Sequence, residues 1–407
     1  MILKKQGYGY KDLTIVPAKF TNVEHRKDIN IFYEDGMLPI FASPMMTVVN
    51  EFNYKIYEQN KVHPIIPRTV KYLTRLELMN EEYWTAFSLS EFNKLFIDGS
   101  DDFTPKNGKT YNVCIDMANG HMYTLYDATN SAKKFAKEGK YTLNIMVGNI
   151  ANPDTYNYIC EYANVDYVRL IIGSGANCLT SSNTGVHYPI ATLIDECKKI
   201  KDSMEQKQGF DYGSWKVKCV PKLIADGGIR HYSDINKALA LGADYVMIGS
   251  LFGQLLESAA DMVIESKDDA QYPATYNRST GEVLYYTNYQ AKNINIWNGN
   301  TEEEKRDFIR STKSIKKRQI GMSTKEAQRA MSLALRNPVT LDPDKLKTSE
   351  GITTFIECKY TLKQWLNNMM DYLRSAMSYT NAFDLEEFKN RTDLIVNSPA
   401  EIQSVNK

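Results

Sequence analysis

The sequence predicts an α/β fold, a single (β/α)8 TIM barrel spanning residues 1–407. Short apolar runs rich in β-branched residues alternate with helical patterns, as they do in parallel βα units. Glycine or polar residues follow most of these runs, at the strand ends where barrels of this kind carry their active sites. The length of 407 residues suits one barrel with insertions. Seven strands are recognisable, within residues 38–45, 63–68, 113–116, 143–149, 167–172, 220–228 and 245–250.

Beyond the last recognisable strand, the alternation of strand and helix is lost. Residues 258–317 are polar and aromatic, and we expect them to form an insertion over the surface. A flap-like, mobile segment is expected at 323–352, because long loops in compact barrels are often lids. Within it, Ser323 and Glu326 have the capping-box spacing for the start of a helix. Residues 398–407 are expected to form a disordered tail.

The composition argues against several classes of function. The 49 basic and 49 acidic residues give a formal net charge of zero, and no basic block suggests a nucleic-acid or membrane partner. Six cysteines are scattered without metal-ligand spacing, so neither a zinc site nor a disulfide framework is predicted. The amino terminus lacks the apolar core of a signal peptide, and no apolar run reaches transmembrane length. These features predict a cytoplasmic enzyme with reduced thiols.

The stretch that follows the strand at 167–172 carries the first candidate for chemistry. Gly173 and Gly175 allow a sharp turn and a close approach of the backbone to a ligand or ion. Cys178 comes just after this turn, on a loop at the carboxyl end of a strand. A thiolate is a strong nucleophile, so Cys178 is a candidate for covalent catalysis. Taken alone, however, a cysteine is more often a small buried core residue.

Two glycine elements follow the last two predicted strands. Asp226, Gly227 and Gly228 end one strand, and Gly249 and Ser250 end the next. Adjacent late loops of a barrel present bare backbone N–H groups that bind phosphate. Tight turns explain most single Gly-Gly pairs. Two such elements one βα unit apart predict a phosphate site.

Several blocks of the sequence resemble the IMP dehydrogenase/GMP reductase family of purine-nucleotide barrels. They occur in the order found in the family, at residues 38–48, 173–189, 225–230, 237–250, 320–323 and 349–351. The resemblance therefore extends along almost the whole chain. It implies a homotetrameric barrel enzyme that acts on a purine mononucleotide, GMP or IMP, with a nicotinamide cofactor.

The resemblance also implies roles for individual residues. Cys178 corresponds to the nucleophile that attacks purine C2, and Thr180 and Glu350 to the pair that assists the departure of the amine. The residues implied to bind the substrate are Ser43, Met45, Asp226, Gly227, Gly228, Gly249, Ser250, Gly321, Met322 and Ser323. Those implied to bind the cofactor are Asp116, Asn119 and Gly120. A monovalent-cation site for K⁺ is implied at the backbone carbonyls of Gly173, Gly175 and Cys178.

Several features favour the reductase branch of the family. The dehydrogenase hydrolyses its intermediate with an Arg-Tyr pair on a flap, whereas this chain has no Arg-Tyr dipeptide and no tyrosine in residues 321–359. Thr180 and Glu350 match the reductase pair, and residues 118–120 have the reductase form. The CBS domains of most dehydrogenases are expected to be absent, since only about one helical segment is predicted within residues 68–113. The expected reaction is the NADPH-dependent reductive deamination of GMP to IMP and ammonia.

Departures from the family pattern leave two alternatives open. Met46 replaces an aspartate, Ala176 a serine and Ser181 a basic residue that are usual in the family. Ser43 with the following proline is closer to the dehydrogenase form. Ala176 removes a hydroxyl from the implied phosphate site, and losing one hydrogen bond to a charged group costs about 1.5–3 kcal/mol. One alternative is an IMP dehydrogenase, which converts IMP to XMP with NAD, or a related purine-nucleotide oxidoreductase. The other is a purine-nucleotide-binding protein without catalytic activity.

Overall fold

Strands and helices alternate along most of the chain in the computed structural model of the protein, which describes residues 6–208, 217–265, 274–287, 290–338 and 346–405. The strands are β1 (Leu13–Ile15), β2 (Ile40–Ala42), β3 (His63–Ile66), β4 (Trp84–Phe87), β5 (Thr110–Asp116), β6 (Thr142–Ile150), β7 (Tyr167–Leu170), β8 (Lys222–Asp226), β9 (Tyr245–Ile248), β10 (Met262–Glu265), β11 (Thr275–Tyr276), β12 (Glu282–Thr287), β13 (Gln290–Asn295), β14 (Ser314–Ile320), β15 (Thr353–Glu357) and β16 (Leu394–Val396). The helices are α1 (Tyr54–Gln59), α2 (Tyr72–Asn80), α3 (Leu89–Asn93), α4 (Tyr123–Glu138), α5 (Pro153–Tyr162), α6 (Thr180–Thr184), α7 (Ile190–Lys207), α8 (Tyr232–Ala240), α9 (Ser250–Gly253), α10 (Glu302–Ser311), α11 (Lys325–Leu333), α12 (Leu362–Tyr379), α13 (Leu385–Arg391) and α14 (Pro399–Val405).

Strands β2 to β9 form a closed barrel, which confirms the predicted (β/α)8 class. Each strand pairs in parallel with the next, and β9 pairs with β2 to close the ring. Alternate strand positions point to opposite sides of a barrel wall. One set, which includes Phe41, Trp84 and Met247, forms a cluster inside the barrel, while the positions between them pack outward against the helices. All of the predicted strand-end residues therefore meet at one face.

The sequence prediction missed one barrel strand. Strand β4 comprises four residues, Trp84–Phe87, and all four are buried. The run is short and contains a single β-branched residue, Thr85, so little distinguishes it from the helical stretches on either side. The expectation of about one helical segment within residues 68–113 is wrong, because α2, β4 and α3 all lie there. These elements are a strand of the barrel and its flanking helices.

The segment predicted as an insertion, residues 258–317, contributes to two small antiparallel sheets. In one sheet β14 lies between β10 and β15, and in the other β12 lies between β11 and β13. Trp297 stacks on Phe52, with 5.7 Å between the ring centroids. Arg278 donates a hydrogen bond to the carbonyl of Met46 at 3.3 Å. The segment therefore contacts the loop between β2 and α1, beside the carboxyl-terminal ends of the barrel strands.

The segment predicted as a flap, residues 323–352, contains α11, and the start of this helix differs from the expected capping box. Thr324 is the N-cap, and its hydroxyl accepts a hydrogen bond from the N–H of Ala327 at 3.2 Å. Glu326 instead forms a two-pronged ion pair with Arg318, at 2.8 and 2.7 Å. Residues 339–345 of the predicted flap lie outside the described residues.

The end of the chain packs on the outside of the barrel. Helix α12 buries one face, and Trp365 on that face contacts the ring of Phe252 at 5.2 Å between centroids. Strand β16 pairs with β1 near the start of the chain. The predicted tail, residues 398–407, includes α14, and residues 406–407 lie outside the described part of the chain. Among the helices of the described residues, none is both long and apolar enough to cross a membrane.

Candidate active site

The loop after β7 carries Cys178 and is shaped by glycine. The backbone of Gly173 has φ +80°, and a β-carbon there would lie 2.7 Å from the backbone nitrogen of Ser181. Only glycine allows this close approach at that φ. The Ser181 hydroxyl donates to the carbonyl of Gly173 at 2.7 Å, and the N–H of Cys178 donates to the carbonyl of Gly175 at 3.0 Å. These contacts return the chain toward the strand end and leave Cys178 half-buried at the carboxyl-terminal face.

A short backbone ladder joins this loop to the segment before β15. Cys178 and Gly351 form an antiparallel β-bridge. The N–H of Leu179 donates to the carbonyl of Glu350 at 2.6 Å, and the N–H of Ile352 donates to the carbonyl of Asn177 at 3.1 Å. Residues far apart in the sequence are thus held side by side by main-chain bonds, which fix geometry more firmly than side-chain contacts alone.

Three predicted catalytic side chains form one hydrogen-bonded line. The Cys178 thiol donates to the Thr180 hydroxyl, with 3.3 Å between Sγ and Oγ1. The Thr180 hydroxyl donates in turn to the Glu350 carboxylate, with 2.6 Å between Oγ1 and Oε2. All three residues are partly accessible. A proton can therefore pass between the thiol and the carboxylate through one hydroxyl, which is the arrangement that activates a nucleophile.

The other five cysteines lie in different surroundings. Cys114 and Cys358 are buried, and burial raises the pKa of each thiol to about 12. Cys219 is half-buried, and burial raises the pKa of its thiol to about 11. Burial also raises the pKa of Cys160 and of Cys197. A thiol with a raised pKa is a poor nucleophile, so these residues are structural.

The predicted substrate-binding residues after β2 and β9 lie against each other. A β-carbon at Gly249 would be 2.8 Å from Met45 Sδ and 3.9 Å from Ser43 Oγ. The N–H of Ser43 donates to the carbonyl of Ile248 at 3.0 Å, which ties the two strand ends together. Ser250 is the first residue of α9 and is half-buried. The lack of a side chain at Gly249 is what allows Met45 to fold over this loop.

The predicted residues after β8 and β14 border the Cys178 loop on its other sides. A β-carbon at Gly227 would lie 2.5 Å from Ser174 Oγ, in the loop just before Cys178. Gly228 follows with φ +71°, a conformation that favours glycine. A β-carbon at Gly321 would lie 2.7 Å from the carbonyl oxygen of Asn177, and one at Gly351 would lie 3.0 Å from Ser323 Oγ.

Met322 occupies a more apolar position than the other predicted substrate residues. It is half-buried and packs against Met46, Ile320 and Ala327. Met46 stands where the resemblance expects an acidic residue, and it is buried in this cluster. A carboxylate would be costly at such a position, so the methionine suits its surroundings.

A buried charge network joins Asp226 to Asp116. Arg169 contacts the Asp116 carboxylate at 2.7 Å and the Asp226 carboxylate at 2.8 Å. Asn149 donates a further hydrogen bond to Asp226 at 2.8 Å. Neither Arg169 nor Asn149 is among the site residues predicted from the sequence. The one available signal was a charged residue, Arg169, within an otherwise apolar strand.

The predicted cofactor residues lie on the same face, beside this network. The N–H of Gly120 donates to the carbonyl of Asn149 at 2.9 Å, and the side chain of Asn119 accepts the N–H of His121 at 3.1 Å. His121 Nε2 accepts the N–H of Ala151 at 3.1 Å, and burial lowers the pKa of this imidazole. The Asp116 carboxylate keeps 20% of its surface exposed, so it offers acceptor oxygens for ribose hydroxyls. Binding of a nicotinamide cofactor by Asp116, Asn119 and Gly120 remains a prediction.

The carbonyls implied to bind K⁺ are already engaged within the loop. The Gly173 carbonyl accepts the hydroxyl of Ser181, and the Gly175 carbonyl accepts the N–H of Cys178. A carbonyl oxygen has a second lone pair, so a cation could be added to these bonds. The K⁺ site remains a prediction. Within the described residues, no three His, Cys, Asp or Glu side chains are grouped so as to hold a metal ion.

Comparisons with known proteins find sequences similar to this chain. Residues 108–277 match the model of the IMP dehydrogenase / GMP reductase domain. The inosine-5'-monophosphate dehydrogenase of Chlorobaculum parvum is 34% identical over 152 residues, which are 37% of this chain and 27% of that protein. The GMP reductase of Lactobacillus acidophilus is 25% identical over 282 residues, covering 66% of this chain and 76% of that protein.

The longest of these similarities involve GMP reductases. That of Staphylococcus epidermidis is 25% identical over 329 residues, covering 76% of this chain and 86% of that protein. The similarity to the dehydrogenase from C. parvum spans only about a quarter of that protein's length, 27%. The domain match identifies residues 108–277 as a domain of the IMP dehydrogenase/GMP reductase family, and the closed parallel barrel and the similarity to these relatives are consistent with it.

Proposed function

We propose that this protein is a GMP reductase-like oxidoreductase, which converts GMP to IMP and ammonia with NADPH. The observation that carries the proposal is the line from Cys178 through Thr180 to Glu350, with distances of 3.3 and 2.6 Å. Members of the family are oxidoreductases, and the relatives matched over most of the chain are named GMP reductases. A homotetramer, K⁺ binding and a cytoplasmic location remain predictions.

The first step is the addition of Cys178 to the purine. The Cys178 proton moves to Thr180 as the Thr180 proton moves to Glu350. The resulting thiolate forms a C–S bond at C2 of GMP, and the C2–N3 π electrons move to N3. Glu350 then holds one proton. The ladder between residues 177–179 and 350–352 keeps the three side chains in register during this transfer.

The second step is the loss of the amine. The proton held on Glu350 returns through Thr180 to the C2 amino group. The electron pair on N3 then re-forms the C2–N3 double bond as the bond between C2 and the amine breaks and ammonia departs. A bound reduced nicotinamide would supply hydride to C2. The C–S bond then breaks, and Cys178 leaves as a thiolate. The balance is GMP, NADPH and two protons giving IMP, NADP⁺ and ammonium.

The same site supports IMP oxidation less well. The dehydrogenase reaction needs a base that activates water, and residues 321–359 contain no tyrosine that could act with an arginine. Glu350 is paired with Thr180 and has no water-activating partner among its described hydrogen bonds. The similarity to dehydrogenases over 152 residues keeps IMP with NAD as the second candidate reaction.

The test is absorbance at the reduced-nicotinamide band with purified protein, NADPH and GMP, beside a parallel reaction with IMP and NAD. We expect the signal to fall with GMP, with ammonia and IMP as products. Cys178→Ala should abolish turnover while the protein stays folded. Cys219→Ala is the matched control, because this half-buried thiol lies outside the proposed site.

Three results would contradict the proposal. A rise in absorbance with IMP and NAD, and no change with GMP, would assign the dehydrogenase reaction. Turnover retained by Cys178→Ala would remove the covalent mechanism. If the protein binds GMP but the absorbance changes in neither assay, it is a nucleotide-binding protein without catalytic activity.

A further inference from the structure

Arg169 lies inside the barrel, where apolar side chains are the rule. It stands between Val168 and Leu170, which pack outward in the main core. The alternation of β-strand side chains therefore directs Arg169 inward. Cys114, which belongs to the inner cluster, lies 3.5 Å from the Arg169 guanidinium. A charge at such a position is retained only with full pairing.

The pairing of Arg169 is shared between two carboxylates on different strands. Nη1 donates to Asp116 at the end of β5, at 2.7 Å, and Nε donates to Asp226 at the end of β8, at 2.9 Å. Burial lowers the pKa of Arg169, but the charges of Asp226 and Asp116 outweigh burial and hold that pKa above its ordinary value. The guanidinium is therefore a permanent cation between the two acids.

The backbone around Arg169 leaves room for this placement. Gly148 on β6 has φ +155°, and a β-carbon there would lie 2.9 Å from the carbonyl oxygen of Arg169 and collide with its side chain. Arg68 donates to the carbonyl of Asp116 at 3.2 Å. Asn149 holds Asp226 through a further hydrogen bond. The two acids are thus held from several directions, and Arg169 is the group that contacts both.

We propose that Arg169 is a positioning residue that couples nucleotide binding to cofactor binding through Asp226 and Asp116. The inference rests on the proposed function, in which Asp226 faces the nucleotide ribose and Asp116 the cofactor. The Arg169 guanidinium is planar and rigid and is hydrogen-bonded to both carboxylates. A shift of one carboxylate therefore moves the guanidinium and, through it, the other carboxylate. A cofactor that orders Asp116 therefore also orders Asp226 for binding of the nucleotide. In the same way, a nucleotide that orders Asp226 also orders Asp116 for binding of the cofactor.

A double-mutant cycle without cofactor tests this coupling. The dissociation constants of GMP and IMP are measured by calorimetry for the wild type, Asp116→Asn, Arg169→Lys and the double variant. In the wild-type background, we expect Asp116→Asn to weaken nucleotide binding about 5-fold or more, a typical coupling between sites. The loss should occur because Arg169 then pairs with Asp226 alone. In the Arg169→Lys background, the same substitution should change binding less than about 2-fold.

A second measurement separates positioning from a general loss of structure. The affinity for GMP with and without NADP⁺ should differ in the wild type, and the difference should vanish in Arg169→Lys. Arg75→Lys is the matched control, since Arg75 is fully buried and pairs with Glu91 at 2.7 Å elsewhere in the barrel. It should lower the thermal midpoint while leaving the coupling between the ligands unchanged.

The outcomes distinguish this inference from the proposed reaction. Equal effects of Asp116→Asn in both backgrounds would overturn the role of Arg169, even if GMP is reduced. The protein could bind the nucleotide and give the expected result in the double-mutant cycle, yet show no turnover. This result would overturn the proposed reaction but support the coupling through Arg169. A wild-type chain that binds neither nucleotide would overturn both.

Discussion

At the residue scale, the proposed reaction depends on the Thr180 hydroxyl, which is hydrogen-bonded to both Cys178 and Glu350. Thr180 accepts a hydrogen bond from Cys178 and donates one to Glu350, so it can carry a proton in either direction without a net change of its own charge. The direction needed for addition to the purine is opposite to the one needed for release of the amine. The neutral Thr180 hydroxyl can transfer a proton in both directions, because it lies between the Cys178 thiol and the Glu350 carboxylate.

Replacing Thr180 tests this relay directly. Thr180→Val keeps the shape of the side chain but removes the hydroxyl, and we expect kcat to fall by about 10²- to 10⁴-fold, the usual contribution of a positioned acid–base group. Thr180→Ser retains the hydroxyl and should keep most of the rate. Steady-state assays with GMP and NADPH give the comparison. A valine variant with the wild-type rate would show that proton transfer takes another route.

At the element scale, the relay depends on the ladder between the Cys178 loop and residues 350–352. Gly321, just after β14, packs against this ladder. The Asn177 carbonyl lies so close to Gly321 that there is no space for a side chain there. Its N–H also donates to the carbonyl of Ile352 at 3.0 Å. The strand end, the loop and the segment carrying Glu350 are therefore one packed unit.

Gly321→Ala should disturb this unit while leaving the barrel intact. The added methyl group would lie 2.7 Å from a backbone oxygen, so the ladder must shift, and we expect kcat to fall about 100-fold as the reacting groups move apart. The cost in stability should be about 1–3 kcal/mol, as for other overpacked sites. Gly9→Ala is the control, since its nearest contact would be an Asp12 oxygen at 3.7 Å. Equal activity of the two variants would contradict this account.

At the scale of the whole molecule, a buried ion cluster ties the end of the chain to the barrel. Asp244, just before β9, contacts Lys201 of α7 at 2.7 Å and Lys389 of α13 at 3.1 Å. Its carboxylate also accepts the N–H of Leu223 at 2.7 Å. Burial raises the pKa of Asp244, but Lys201 and Lys389 lower it by more, so the net pKa lies below the ordinary value.

This cluster predicts a dependence of stability on pH. Because the folded state lowers the pKa of Asp244, its contribution is present above the unfolded-state pKa and is lost as the pH falls through the folded-state value. Asp244→Asn should lower the free energy of unfolding by about 3–5 kcal/mol at pH 7, the usual cost of breaking a buried pair. The difference from the wild type should shrink below about pH 4.

Urea unfolding at several pH values checks this prediction. Asp202→Asn is the matched control, because Asp202 pairs with Lys198 while 44% of its side chain is exposed. Its effect should stay below about 1 kcal/mol at any pH. A difference between wild type and Asp244→Asn that is constant from neutral to acid pH would rule out the ionic contribution.

Some details could not be predicted from local sequence because they depend on neighbours far along the chain. Strand β4 is recognised as a strand only by its pairing with β3 and β5. Glu326 satisfies the spacing of a capping box, yet Arg318 on the neighbouring strand offers it a two-pronged ion pair instead. A stronger tertiary partner therefore overrides a local pattern.

The sequence by itself determined the barrel class, and it predicted which face of the barrel carries the candidate site. Both follow from local patterns, namely the alternation of apolar runs with helices and the glycines at strand ends. Its prediction for Cys178, Thr180 and Glu350 named the residues but not their contact, since 170 residues separate Thr180 from Glu350. Only the tertiary structure shows that Cys178, Thr180 and Glu350 are hydrogen-bonded in series. Only the tertiary structure shows that Arg169 lies between Asp116 and Asp226. Closing the barrel brings distant strand ends within hydrogen-bonding distance, and no local pattern encodes which side chains then meet.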